Sequence, residues 1–142
     1  MAFVNVMEYL TIASAGNATD FGDLSEDRGN VGAVSSSTRG VCGGGRAAPG
    51  ESGAFSNVME YITIASTGDV TDFGDLTVTR SYVAGVNDMT RGVFAGGSTP
   101  SVSNVMDYIT IASTGDAADF GDLLTSKRYL SGLSDSHGGL KG

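Results

Sequence analysis

One phrase is written three times along this chain. Asn5-Val6-Met7-Glu8-Tyr9 returns as Asn57-Val58-Met59-Glu60-Tyr61 and again as Asn104-Val105-Met106-Asp107-Tyr108, so successive starts lie 52 and 47 residues apart. The likeness runs on: 63–69 equals 110–116 without a change, and Asp20-Phe21-Gly22-Asp23-Leu24 recurs at 72–76 and 119–123. Of the 24 positions from Asn57 to Arg80, 17 agree with the third copy, the mark either of recent duplication or of copies held to one structural role. Repetition at this period means that each copy is one supersecondary unit, which buries its apolar face only by stacking on the next. The copies run 5–56, 57–103 and 104–142 within a single domain, 1–142. The first is lengthened by an insertion at about 46–56, where Gly, Ala, Pro and Ser dominate, and a surface loop is expected there.

A period of 40 to 50 residues admits either helical hairpins or four-stranded units, and composition separates the two. Each copy holds β-branched and aromatic runs, such as Tyr61-Ile62-Thr63-Ile64 and Gly92-Val93-Phe94, punctuated by Ser-Thr-Gly-Asp and Gly-Gly. No stretch offers helical spacing without an interrupting glycine. The chain therefore reads as all-β, with four short antiparallel strands per copy. In the second copy they fall around 57–65, 70–73, 82–86 and 91–95. The first of these carries apolar side chains on both faces, Val58, Ile62 and Ile64 against Met59 and Tyr61. Such a sheet must be covered on both sides, which suits sheets stacked face to face.

Charge and cysteine content remove whole classes of function. Eight Lys+Arg against 16 Asp+Glu give a net charge of −8 and no basic cluster, so the attraction that drives binding to nucleic acid or anionic lipid is missing. One cysteine, Cys42, forms no internal disulfide, and with the single His137 it makes no metal framework. No apolar run approaches the roughly 20 residues of a membrane helix, and the opening Met-Ala-Phe-Val-Asn lacks the features of a signal peptide. A soluble protein, or one exported by other means, is the expectation, with no membrane insertion and no nucleic-acid partner.

The order Arg80, Val83-Ala84-Gly85-Val86, the polar turn Asn87-Asp88-Met89-Thr90, then Arg91-Gly92-Val93-Phe94-Ala95-Gly96-Gly97 and Val105-Met106-Asp107-Tyr108 resembles a Kelch repeat. The Gly-Gly doublet followed by a tyrosine carries most of the likeness. The chain is also similar to Kelch-like arrays in predicted structural proteins of marine phages, where phrases like Tyr-Ile-Thr-Ile-Ala-Ser-Thr-Gly and Thr-Arg-Gly-Val-Phe recur. It departs in lacking the Trp that usually follows the tyrosine; Phe21, Phe73 and Phe120 are the nearest aromatics. The resemblance implies a β-propeller fold and structural roles for Tyr9, Tyr61, Tyr108, Phe21, Phe73, Phe120, Arg39, Arg91 and the doublets Gly44-Gly45 and Gly96-Gly97. Arg39 and Arg91 are expected to hydrogen-bond a neighbouring blade rather than an anion.

In Kelch order the glycine doublet ends the second strand of a blade. The resemblance then implies three repeats with half-blades at both termini: strands three and four first, two whole blades, and strands one and two last. Three blades fall below the four to eight of closed propellers. Two chains joining their half-blades give a six-bladed ring, and the same head-to-tail contact without closure gives a fibre. The third copy is degenerate at its end, with His137-Gly138-Gly139-Leu140-Lys141 where the second has Thr90-Arg91-Gly92-Val93-Phe94, which favours a longer parent chain or a partner.

Several motifs suggest chemistry. Asp-Phe-Gly is the magnesium motif of protein kinases, but here it occurs three times without a phosphate loop or catalytic-loop pattern. The spacing Asp69, Asp72, Asp75, repeated as Asp116, Asp119, Asp122, offers oxygens to calcium, although Asn17 stands for the leading acid in the first copy; turn-forming acids are the plainer reading. Asn17-Ala18-Thr19 is a glycosylation sequon that the other copies lack. Cys42 takes the slot of Phe94, an apolar role, and His137 reads as a solvated turn residue. No catalytic set emerges and no cofactor is implied; the tyrosine and histidine ligands of copper-binding Kelch relatives are not assembled from one His. The favoured expectation is a non-enzymatic structural repeat protein of a virion or extracellular assembly, its partner a second copy of itself. The other is a binding module holding a glycan or host surface protein through the turns Ser35-Ser36-Ser37 and Asn87-Asp88-Met89.

Overall fold

A computed structural model describes residues 2–49 and 52–134. The chain is all-β. Its strands are β1 (Val6–Tyr9), β2 (Thr19–Asp23), β3 (Arg28–Gly29), β4 (Gly32–Ser35), β5 (Arg39–Gly43), β6 (Arg46–Ala47), β7 (Val58–Thr63), β8 (Thr71–Asp75), β9 (Ala84–Asn87), β10 (Arg91–Ala95), β11 (Ser98–Thr99), β12 (Ser101–Val102), β13 (Val105–Thr110) and β14 (Ala118–Asp122). Two four-stranded antiparallel meanders form the body, one in the order β4-β5-β7-β8 and the other β9-β10-β13-β14. A two-stranded sheet, β1-β2, precedes them, and the short pairs β3-β6 and β11-β12 brace the connections. No helix among the described residues is long and apolar enough to cross a membrane.

The strands sit close to where the sequence puts them, and the differences have local causes. The run expected at 82–86 begins at Ala84, because Tyr82 is held at φ +58°, outside the strand region. The run expected at 70–73 extends to Asp75 because Asp-Phe-Gly-Asp builds a bulge. Met59 pairs with Gly74 and Glu60 with Asp72, which leaves Phe73 as the extra residue, and Gly74 takes φ +137° to absorb it. The same slip occurs between β1 and β2 and between β13 and β14. The recurring Asp-Phe-Gly is thus bulge geometry. The described residues of the insertion, 46–49 and 52–56, are tied down rather than loose: β6 pairs with β3, the Ala47 N–H donates to the Ala54 carbonyl, and the Arg46 guanidinium lies 4.3 Å from the Phe55 ring centre.

The two meanders stack face to face, as a strand apolar on both sides requires. Val34, Val41, Met59, Phe73, Leu76, Val83, Phe94, Ile109 and Ile111 form one buried cluster between and along them. Stacking is closest where glycine faces the neighbour: a Cβ at Gly85 would run into the Ala33 carbonyl, and one at Gly92 would meet the Val34 side chain. Each doublet turns the chain from the second strand into a crossing. Gly44 and Gly96 lie at φ +70° and +64°, in the left-handed region, and the Gly45 N–H donates to the Arg80 carbonyl as Gly97 does to that of Lys127. After β14 the chain therefore follows the path that leads into β9, although no regular strand is described between Asp122 and Ser134. The degenerate end around His137 lies outside the described residues.

Candidate functional site

Each copy sets one acid in the middle of its first strand and one base four residues after the leucine that ends its Asp-Phe-Gly-Asp-Leu run. In two places these meet in the interior. Arg80 and Asp107 are both wholly buried. One guanidinium nitrogen of Arg80 donates to the carbonyls of Gly96 at 2.8 Å and Val105 at 2.6 Å; the other donates to Phe94 at 3.2 Å and to the Asp107 carboxylate at 2.6 Å. Asp107 also accepts from the Thr77 hydroxyl and, at 3.3 Å, from its amide. Arg28 repeats the arrangement with Glu60, the Ser56 hydroxyl and the Val58 carbonyl. Burial pulls the Arg80 guanidinium below its ordinary range, and Asp107 opposes that pull. The Arg80 hub clamps the lead-in of its sheet to that sheet's second and third strands, and the Arg28 hub clamps its lead-in to the third strand and the residues before it. Sequence reasoning passed over Glu60, Asp107 and Arg28 as sites; the signal was an acid and a base at fixed places in all three copies.

The other repeat positions take structural places. Tyr9, Tyr61 and Tyr108 meet Phe21, Phe73 and Phe120 edge to face, with ring centres 6.0, 6.1 and 6.0 Å apart. Arg39 lies over Tyr61 and Arg91 over Tyr108, at 4.1 and 4.6 Å, and Arg39 also donates to the Ile111 carbonyl of the next sheet at 3.0 Å. Cys42 pairs with Glu60 across the ladder, as Phe94 does with Asp107. Burial pushes its thiol pKa up, against the pull of Arg28.

The carboxylates considered for calcium are spread out. Asp69 and Asp116 reach back to the preceding outer strand, accepting from the amides of Asp23 and Asp75 at 3.0 Å each. Asp72, Asp75, Asp119 and Asp122 lie along β8 and β14. Among the described residues no three His, Cys, Asp or Glu gather closely enough to hold a metal ion.

The turn loops do come together. The Ser35 amide donates to the Asn87 side-chain oxygen at 3.2 Å, and the Asn87 amide group donates to the Ser35 carbonyl at 2.7 Å. The Ser134 hydroxyl in turn donates to the Asn87 carbonyl. Ser36 and Asp88 cap their own turns: the Arg39 amide donates to Ser36, and the amides of Arg91 and Thr90 donate to Asp88, which holds the Asp88 carboxyl below its usual range. Ser37 and Met89 stand at the exposed tips. Beside this row lies an open groove of about 510 Å³ walled by Asn87, Asp88, Arg91, Phe120 and Leu133.

The remaining candidate is an edge. β1-β2 has the register of the outer halves of both meanders, with Val6 opposite Asp23, Met7 opposite Gly22, Glu8 opposite Asp20 and Tyr9 opposite Thr19. Yet β7 and β13 each have an inner neighbour, β5 and β10, and β1 has none among the described residues. Val6, Leu10 and Ile12 are exposed beside it. Compared with known proteins, the chain matches no family model and no curated protein sequence.

Proposed function

We propose that this chain is a non-enzymatic structural repeat protein, built of Kelch-like propeller blades, that associates with copies of itself through its incomplete strand pair. The bare inner edge of β1 carries this reading. It presents unpaired backbone donors and acceptors next to exposed apolar side chains, an arrangement that persists in a protein only when something covers it. A second copy supplies the missing inner strands in kind. Two chains then close a six-bladed ring, or successive chains extend a fibre, as fits a virion appendage or another extracellular assembly. Light scattering coupled to size exclusion, over a wide concentration range, tests it. A two-chain species supports the ring and large polydisperse species the fibre. A folded monomer at every concentration overturns both.

A second reading rests on the row Ser35, Asn87, Ser134 and the groove beside it. Two turns far apart in sequence are hydrogen-bonded into one continuous rim, the geometry of a loop-borne site for a glycan or a host surface protein. Saturable binding in a glycan or protein screen, abolished by exchanging the turn at 87–89 while assembly stays intact, would favour it.

A further inference from the structure

The contacts that join neighbouring sheets follow one rule, and the two ends of the described chain each hold half of it. An outer strand receives the turn of the next sheet. The Phe21 carbonyl accepts from the Gly68 amide at 2.7 Å and the Phe73 carbonyl from the Gly115 amide at 2.6 Å, while Asp69 and Asp116 accept the amides two residues further along the receiving strand. The bulge glycine beneath has no room to spare: a Cβ at Gly22 or Gly74 would collide with the carbonyl of Gly68 or Gly115. Gly121 takes the same conformation, φ +125°, with its nearest neighbour at 4.0 Å, and Phe120 is 47% exposed where Phe21 and Phe73 are 9% and 2%. Among the described residues, no turn lies upon this receiving strand.

The matching halves lie at the other end. Ala15-Gly16-Asn17 corresponds to Thr67-Gly68-Asp69, but among the described residues it makes no hydrogen bond of this kind to an outer strand. Glu8 corresponds to the buried Glu60 and Asp107, and Lys127 to the buried Arg28 and Arg80. Both are exposed, and among the described residues neither makes an ion pair. Leu133 corresponds to Val34, which packs on Gly92, yet Leu133 is 98% exposed. The place corresponding to Gly92 is Gly40, and there an apolar cavity of about 240 Å³ stands open, walled by Met7, Val41, Cys42 and Ile62.

We propose that the 120–133 segment of one chain engages the head of a second copy in the register that already joins the two meanders. Lys127 pairs with Glu8, the turn at 15–17 docks on Phe120 and Asp122 with Asn17 accepting the Asp122 amide, and Leu133 fills the cavity over Gly40. This rests on the self-association reading and adds its register and its charge code. The occupant is a second copy because all three contacts pair one end of this chain with the other, and opposite charges meet where the repeat rule places them.

The test is a charge exchange in the full chain, read as mass against concentration. Glu8→Lys and Lys127→Glu each set like charges against one another at the junction. Each alone is expected to raise the concentration for half-assembly by at least about tenfold. Mixed one to one, the two variants restore opposite charges at every junction and are expected to assemble as the wild type does. Thermal melts of the separate variants and the wild type below the assembly concentration, unchanged because both residues are exposed in the single chain, exclude misfolding as the cause. If the wild type assembles and the single variants assemble equally well, or the mixture does no better than its components, the register is overturned while self-association stands. A wild type that stays monomeric overturns both.

Discussion

Asp107→Asn removes the counter-charge of a guanidinium that has no route to water. Arg80 makes four polar contacts, three to carbonyl oxygens and one to Asp107, and both side chains are fully buried. Removing one partner of such a pair costs about 3–5 kcal/mol, because the charge left behind stays buried. The carbonyls of Gly96, Val105 and Phe94 still face the guanidinium, which places the expected loss at the lower end, about 3 kcal/mol. For a chain of 142 residues that is a fall in Tm of roughly 10 °C. Urea unfolding should show the midpoint drop with an unchanged slope, the sign of lost stability rather than altered compactness. Asp72→Asn, which neutralises an exposed acid on β8 of the other meander, should stay within about 0.5 kcal/mol. An Asp107→Asn variant within about 1 kcal/mol of the wild type would refute the view that the hub is a closed charged site.

Three further outcomes follow from the geometry. Gly85→Ala forces a methyl into the Ala33 carbonyl of the facing sheet, backbone against backbone, and should cost about 1–3 kcal/mol in chemical denaturation; a neutral effect would mean that the sheets slide freely. Cys42 should be alkylated by iodoacetamide at neutral pH at least roughly tenfold more slowly in the folded chain than in urea, since burial raises its pKa and the thiolate is the reactive form; equal rates would contradict its placement. Asp88 is held below the ordinary carboxylate range first by the Arg91 amide and then by Thr90, so its contribution to the turn is present above the unfolded pKa and lost as pH falls through the folded one. Amide exchange at Thr90 and Arg91 should therefore lose protection in acid in the wild type and lack that pH step in Asp88→Ala.

Strand chemistry was legible because it is local. Arg91–Ala95 falls where β-branched and aromatic residues sit between a polar turn and a glycine doublet, and the alternation of Val58, Met59, Tyr61 and Ile62 marks both faces of β7 as covered. The hubs were not legible, because Arg28 meets Glu60 and Arg80 meets Asp107 across 32 and 27 residues, and burial of those acids depends on which sheet closes over them. Asp-Phe-Gly was visible as a motif, but a bulge is a relation between two strands, and one strand read alone shows only spaced acids. The meeting of Ser35 with Asn87 depends on how closely β4 and β9 approach, which a glycine at 85 permits without announcing.

The boundary of a sequence copy does not coincide with the boundary of a sheet. The second copy, 57–103, opens with β7 and β8, the outer half of one meander, and closes after β9 and β10, the inner half of the next. Hydrogen bonds between β5 and β7 and between β10 and β13 therefore stitch each copy to its successor, as the teeth of a zip hold two tapes. A gene that gains or loses one internal copy offers each joint an equivalent half from the next copy, as Asp107 stands for Glu60, so the product keeps its seams at a new length. Loss of the last copy, by contrast, leaves Arg80 without Asp107 and the Phe73 strand without its turn. Growth of such an array by whole units is thereby written into the phase of the repeat.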